Sequence, residues 1–120
     1  MVGNSESASN IRHRNGWRRK QVVAEVLASE DTCFLCGKPV DKSLPPGQPG
    51  SPEIDEDIPV SRGGSFVARS NCHLAHRLCN GIKHNHSTAW ARAKLGHPSV
   101  VGGAVHAVTA DALRRTKPFG

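Results

Sequence analysis

The stretch "HRLCNGIK", residues 76–83, decides how this chain folds. His76 and Cys79 stand three positions apart, a spacing at which two side chains on one helix share a face. Leu74, Leu78 and Ile82 recur every fourth residue around them, so the pattern within residues 66–85 predicts a helix that carries both ligands. Upstream, "CFLC" at residues 33–36 has the same spacing, in a short strand or knuckle. Two thiolates on such a knuckle grip one tetrahedral zinc from the same side. Cys33, Cys36, His76 and Cys79 together fill all four of its positions, which makes a structural site with no place for a reactive water.

The other candidate ligands fit less well. Cys72 falls two helical turns before Cys79 on the expected helix, too far to share the metal, and reads as a small buried thiol. His73 reads as a surface or groove residue. His84 and His86, in "KHNHS", read as solvated loop histidines.

Outward from these pairs, composition explains why a metal is needed. Of 120 residues only 37% are apolar and 4% aromatic, so any core is small and calls for a staple. The N-terminal "MVGNSESASN" has no apolar segment of the kind that directs export, and no apolar run nears the roughly 20 residues of a membrane span. Four cysteines in such a chain are expected to bind metal rather than to form disulfides, and a cytoplasmic setting is expected. Lys and Arg exceed Asp and Glu by 16 to 10, a net charge of +6 that favours a polyanionic partner, nucleic acid first.

Along the chain, residues 1–16 are expected to form a flexible basic tail. A basic helix starts near Trp17 and ends near Ser29, with Val22, Val23, Val26 and Leu27 as its apolar stripe. Arg18, Arg19 and Lys20 oppose the helix dipole in its first turn, a local cost that is understandable if they meet phosphates. Four prolines and two glycines leave "DKSLPPGQPGSPE" without a regular element. "EIDEDIPV" resumes a strand that bends before Pro59, and "SRGGS" turns. "STAWARAKLG" is a helix capped by Ser87 or Thr88 and stopped by Gly96. "TADALRRT", residues 109–116, forms a short final helix within a C-terminal extension, 96–120. The folded domain spans 17–95, with its motif core at 33–83.

The order of "DEDIPVSRGG" (55–64), Asn71 and "HRLCNGIK" resembles the HNH endonucleases, the ββα-metal nucleases. Their usual signature is Asp-His-x-x-Pro-x-Ser-x-Gly-Gly, then Asn, then His/Cys-x-x-Cys-His/Asn-x-x-Lys. The likeness covers residues 33 to about 83 and is similar to small phage and actinobacterial members, some of which act beside the genome-packaging terminase. It implies an α+β fold: a small ββα-metal domain stabilised by structural Zn²⁺, with flanking helices. It also implies metal-dependent hydrolysis of phosphodiester bonds in double-stranded DNA, by nicking or cutting, in a bacterial host cell. A phage terminase is the implied protein partner.

By the same resemblance, Asp55 and Asn80 hold the catalytic Mg²⁺ or Mn²⁺, and Asn71 holds the active loop and orients the base. Hard oxygen donors suit either ion. Arg62 and Lys83 are candidates for phosphate contact. The chain departs from the pattern at Glu56, where the family keeps its first His. Glu56 can serve as the base if its pKa is raised by Asp55, Asp57 and phosphate. Alternatively it is a second metal ligand, or activity has been lost, leaving a zinc module that binds DNA or a terminase-like partner. Asp57 and His73 are the other candidates for the base. In a regular strand Asp57 shares the face of Asp55 while Glu56 points away.

Overall fold

The computed structural model describes residues 8–100, with side chains from residue 15 onward, and Leu113. In order, the elements are helix α1 (Ala8–Ser29), strand β1 (Pro52–Glu56), strand β2 (Cys72–His76), helix α2 (Arg77–Lys83) and helix α3 (Thr88–Leu95). Three-residue 3₁₀ turns at Val60–Arg62 and Arg69–Asn71 flank the connection between the strands. The result is a small mixed α+β domain with a two-stranded antiparallel sheet and three helices among the described residues. None of these helices is long and apolar enough to cross a membrane.

The expected helix across residues 72–76 is a strand instead. Leu74 explains why local periodicity lost. Its N–H donates to the Glu30 carboxylate at 2.9 Å, and its carbonyl accepts from the Phe34 N–H at 2.7 Å. Cys72–His76 also pairs along its length with β1, Pro52 opposite His76 and Glu56 opposite Cys72. These distant partners replace the i→i+4 bonds a helix would make. Leu74 and Leu78 still face the core, one from the strand and the other from the helix that starts at Arg77. The four-residue spacing therefore straddles a strand–helix junction.

Other expectations about the elements hold in part; with α1 starting at Ala8, Arg18, Arg19 and Lys20 lie in its middle and not in its first turn. α1 ends at Ser29, and it starts at Ala8, ahead of the apolar stripe that made it legible. Residues 8–16, expected to be tail, thus lie within this helix, while residues 1–7 lie outside the described residues. Val22 and Val26 are buried, and Leu27 packs against them. Lys42, from the irregular loop, donates to the Leu27 and Glu30 carbonyls at 2.7 and 3.0 Å. A cation there complements the negative end of the helix dipole. Ser87 caps α3 by accepting the Trp90 N–H at 3.0 Å, and Gly96 ends that helix with φ 75°. The final helix expected over residues 109–116 lies outside the described residues except for Leu113, which is buried.

The core is small, as the composition implied. Val22, Val26, Leu35, Leu74, Ala91 and Leu95 are buried in it beside all four cysteines. α2 lacks a side-chain cap. The Arg77 and Leu78 N–H groups donate instead to the Ser51 and Pro49 carbonyls at 2.8 and 2.9 Å, which ties the loop before β1 to the start of α2.

Candidate metal centre and the acid end of the sheet

Cys33 and Cys36 lie on a tight knuckle whose flanks, Thr32 and Pro39, bridge in antiparallel fashion. The Leu35 and Cys36 N–H groups donate to Cys33 Sγ, both at 3.4 Å, and the His76 N–H reaches the same sulfur at 3.5 Å. His76 ends β2 and Cys79 lies in the first turn of α2, so the second pair spans the strand–helix junction. The four ligand atoms lie within 4.8 Å of one another, and all four residues are buried. His76 Nδ1 is 3.4 Å from Cys36 Sγ and 3.7 Å from Cys79 Sγ. A tetrahedral zinc with bonds of about 2.0–2.3 Å needs ligand separations of roughly 3.5–3.8 Å.

The second ring nitrogen supports the same reading. His76 Nε2 lies 2.8 Å from the Pro39 carbonyl, to which it donates, leaving Nδ1 free to face the thiols. Outer contacts of this kind fix the tautomer of a metal-bound histidine. The four groups are also tightly linked through hydrogen bonds. Hydrogen bonds from Cys36 and Cys79 hold the Cys33 thiol far below its ordinary value, while hydrogen bonding to Cys33 and Cys36 pushes Cys79 far up. Burial disfavours a charged His76 ring, but hydrogen bonds to Cys33 and Cys36 outweigh it and raise the ring to about 10. The cluster could hold a structural metal such as zinc; it is the one such group of three or more ligands among the described residues.

The acids at the other end of β1 alternate in direction. Asp55 is only 3% exposed and faces α2, where it meets Lys83. Glu56 points to the opposite face, with Arg19 of α1 at 2.9 Å. Asp57 accepts from the Thr88 hydroxyl of α3. Burial lifts the Asp55 carboxyl to about 6, against the opposing pull of the Lys83 ammonium.

Lys83, expected to face phosphate, is instead fully buried. Its Nζ lies 2.9 and 3.1 Å from the two Asp55 carboxylate oxygens, 2.6 Å from the Glu56 carbonyl and 3.1 Å from the Asp57 carbonyl. Asn80, expected beside Asp55, uses its amide N–H on Glu53 at 3.0 Å. The helix explains the exchange. Lys83 follows Asn80 by nearly one turn, so both face β1, Asn80 beside Glu53 and Lys83 beside Asp55. The donor set at Asp55 is entirely oxygen, which suits a hard cation, and the cation that the fold places there is an ammonium.

Asn71 lies in the 3₁₀ turn before β2 and spans the loop after β1. Its carbonyl accepts from the Asp57 N–H at 2.9 Å and its Oδ1 from the Ile58 N–H at 2.8 Å. Its Nδ2 donates to the Ile58 and Ser65 carbonyls at 3.0 and 2.9 Å. The Gly-Gly turn permits this closure: Gly63 has φ 93°, and a Cβ on Gly64 would run into the Ile58 carbonyl.

Of the basic candidates, Arg18, Lys20 and Arg62 are exposed. Arg19 is drawn inward, donating also to the Phe66 carbonyl at 2.9 Å and to Cys72 Sγ at 3.5 Å. Arg62 donates to the Asn85 carbonyl at 3.0 Å and, with Asp57, Ile58, His86 and Trp90, lines an open cleft of about 500 Å³. Cys72 is a buried thiol outside the metal cluster, raised first by burial. His73 pairs with Asp55 across the sheet, stacks on Phe34 and contacts Glu30 at 3.1 Å. His86 stacks on Trp90.

Glu30 was not legible as important. It accepts from the Leu74 N–H and from Arg69, and it contacts His73; these bonds outweigh burial and lower its pKa. Its position directly after α1 and before the knuckle was the available signal. Compared with protein-family models, curated proteins and solved structures, the chain gives no match.

Proposed function

We propose that this chain is a zinc-stapled domain of the HNH type that acts on double-stranded DNA as a metal-dependent endonuclease. The observation that carries the reading is the Cys33–Cys36–His76–Cys79 cluster, which ties the knuckle to the β2–α2 junction, with Asp55, Glu56 and Asn71 gathered at the far end of the β1–β2 pair. The Asn71 bonds fix the loop that follows the acids, the role the resemblance gives that residue. Arg18, Lys20 and Arg62 and a net charge of +6 supply attraction for phosphate.

Asp55 is the residue that would hold Mg²⁺ or Mn²⁺, and such a cation would stabilise charge on the scissile phosphate. Glu56 is the base in this reading. Its carboxylate is held by Arg19, so proton abstraction requires that pair to open or to turn toward the phosphate. Asn71 keeps the Asp57–Ile58 backbone in place while this occurs.

A second reading is a DNA-binding zinc module without catalysis. It is favoured by the ammonium among the Asp55 oxygens and by the engagement of Asn80 with Glu53. Zinc-loaded protein incubated with supercoiled plasmid and Mg²⁺ or Mn²⁺ separates the two. Nicking by wild type that Asp55→Asn and Glu56→Gln remove is expected. Duplex binding without nicking in either metal ends the nuclease reading.

A further inference from the structure

Four oxygens converge on one buried point at the end of β1, and a lysine fills it. An ammonium has three N–H donors; here they serve the straddled Asp55 carboxylate and two successive carbonyls, Glu56 and Asp57, all within 2.6–3.1 Å. With Lys83 0% and Asp55 3% exposed, the point is closed to solvent. A divalent ion of the magnesium type needs oxygens at about 2.0–2.1 Å and keeps several waters. It cannot share this space with an ammonium, both for lack of room and because two cations repel strongly in a low-dielectric interior.

We infer that the Lys83 ammonium is the resident cation of the Asp55 oxygen cage, and that a divalent ion enters this site only by displacing it. The inference rests on the preceding reading in one respect, that Asp55 is where the divalent ion would bind. Lys83 is thereby a built-in competitor, and the metal affinity of the site is set by the strength of the Asp55–Lys83 pair. Lysine is suited to this because its charge is a compact point on a flexible stem, able to leave as well as to fill the cage.

The exchange is tested on the zinc-loaded full chain by Mn²⁺ titration, with free Mn²⁺ read by electron paramagnetic resonance. Lys83→Met, which keeps the stem and removes the charge, is expected to bind Mn²⁺ more tightly than wild type by roughly tenfold or more. The gain is expected to vanish in the Lys83→Met/Asp55→Asn double variant. Mn²⁺ binding to Lys83→Met no tighter than to wild type, including no binding to either, overturns the inference, as does a gain that survives Asp55→Asn.

A second measurement needs no substitution. Amine acetylation of wild type, located by mass spectrometry, is expected to spare Lys83 without Mg²⁺ and to modify it at saturating Mg²⁺. Protection unchanged by Mg²⁺ overturns the exchange, and this result decides the matter if Lys83→Met loses its zinc and fold. The nuclease reading fails separately. A gain in Mn²⁺ affinity with no plasmid nicking ends that reading and leaves the exchange standing, whereas nicking by wild type with Lys83 still protected does the reverse.

Discussion

Two corners of this domain are each suited to hold a positive charge, and they would obtain it differently. At one corner three thiols and an imidazole lie within 4.8 Å, and their hydrogen bonds are to one another or to backbone groups. Zinc bound by these ligands would be a cation from outside the chain. At the other corner a buried carboxylate and two carbonyls receive their cation from the same chain, through Lys83. The first corner announces its need in the spacing of its ligands. The second conceals it, because Asp55 and Lys83 come together only when α2 lies along β1.

The largest way to break this contrast is to remove the external cation. Structural zinc contributes about 10–16 kcal/mol of apparent binding energy that small domains use for folding. Cys36→Ser and Cys79→Ser are therefore expected to lose stoichiometric zinc and the cooperative unfolding transition, followed by metal analysis and circular dichroism. A strong chelator should have the same effect on wild type. A native spectrum in both variants would remove the metal centre from the account.

The internal cation should matter less but clearly. Lys83→Ala leaves the Asp55 carboxylate buried without its partner, which costs about 3–5 kcal/mol in comparable buried pairs. Urea unfolding of the zinc-loaded protein measures it. Replacing both partners, Asp55→Leu with Lys83→Met, should recover most of that loss, since well-packed apolar groups often stand in for a buried ion pair. A loss below about 1 kcal/mol for Lys83→Ala, the range of an exposed pair, would mean that the corner is not the closed cage described here.

Two smaller effects sharpen the boundary of that corner. Asn71→Ala strips partners from Ile58 and Ser65 backbone groups and should cost about 1–3 kcal/mol. Faster amide exchange confined to residues 57–65 is the accompanying sign, and uniform loosening would argue against a local clamp. Arg19→Ala breaks an ion pair with Glu56 whose side chains are 27% and 23% exposed, for which a loss of about 1 kcal/mol, the upper end of the range for exposed pairs, is expected from the same unfolding measurement. A much larger loss would show that Arg19 supports the core through Cys72 and Phe66 more than it holds Glu56.

How much of this was legible varies by residue. Val22 and Val26 of α1, a cap at Ser87 or Thr88 and the Gly96 stop were readable because helix periodicity and capping are local, and the structure chose Ser87. The four cluster residues were readable because metal ligation fixes spacing. Leu74 misled, since its four-residue relation to Leu78 arises on a strand and a helix that both face one core. Lys83 misled because a lysine in a basic chain reads as a surface charge, and its burial depends on a carboxylate far away in sequence. Glu30 gave almost no sign, although it anchors Leu74, Arg69 and His73.

The acids of "EIDEDIPV" show the division most sharply. Their alternation was fixed by the sequence, because a strand sends successive side chains to opposite faces; Asp55 and Glu56 had to part. What each meets was decided by tertiary structure alone. α2 brings an ammonium to Asp55, and α1 brings a guanidinium to Glu56. The sequence by itself determined the metal-ligand quartet and the C-terminal ends of the outer helices, since these follow from local bonding and short spacings, while the α+β class came from the resemblance. The strand at β2 and the partners of every acid followed only from packing, where distant donors and charges outcompete the local pattern.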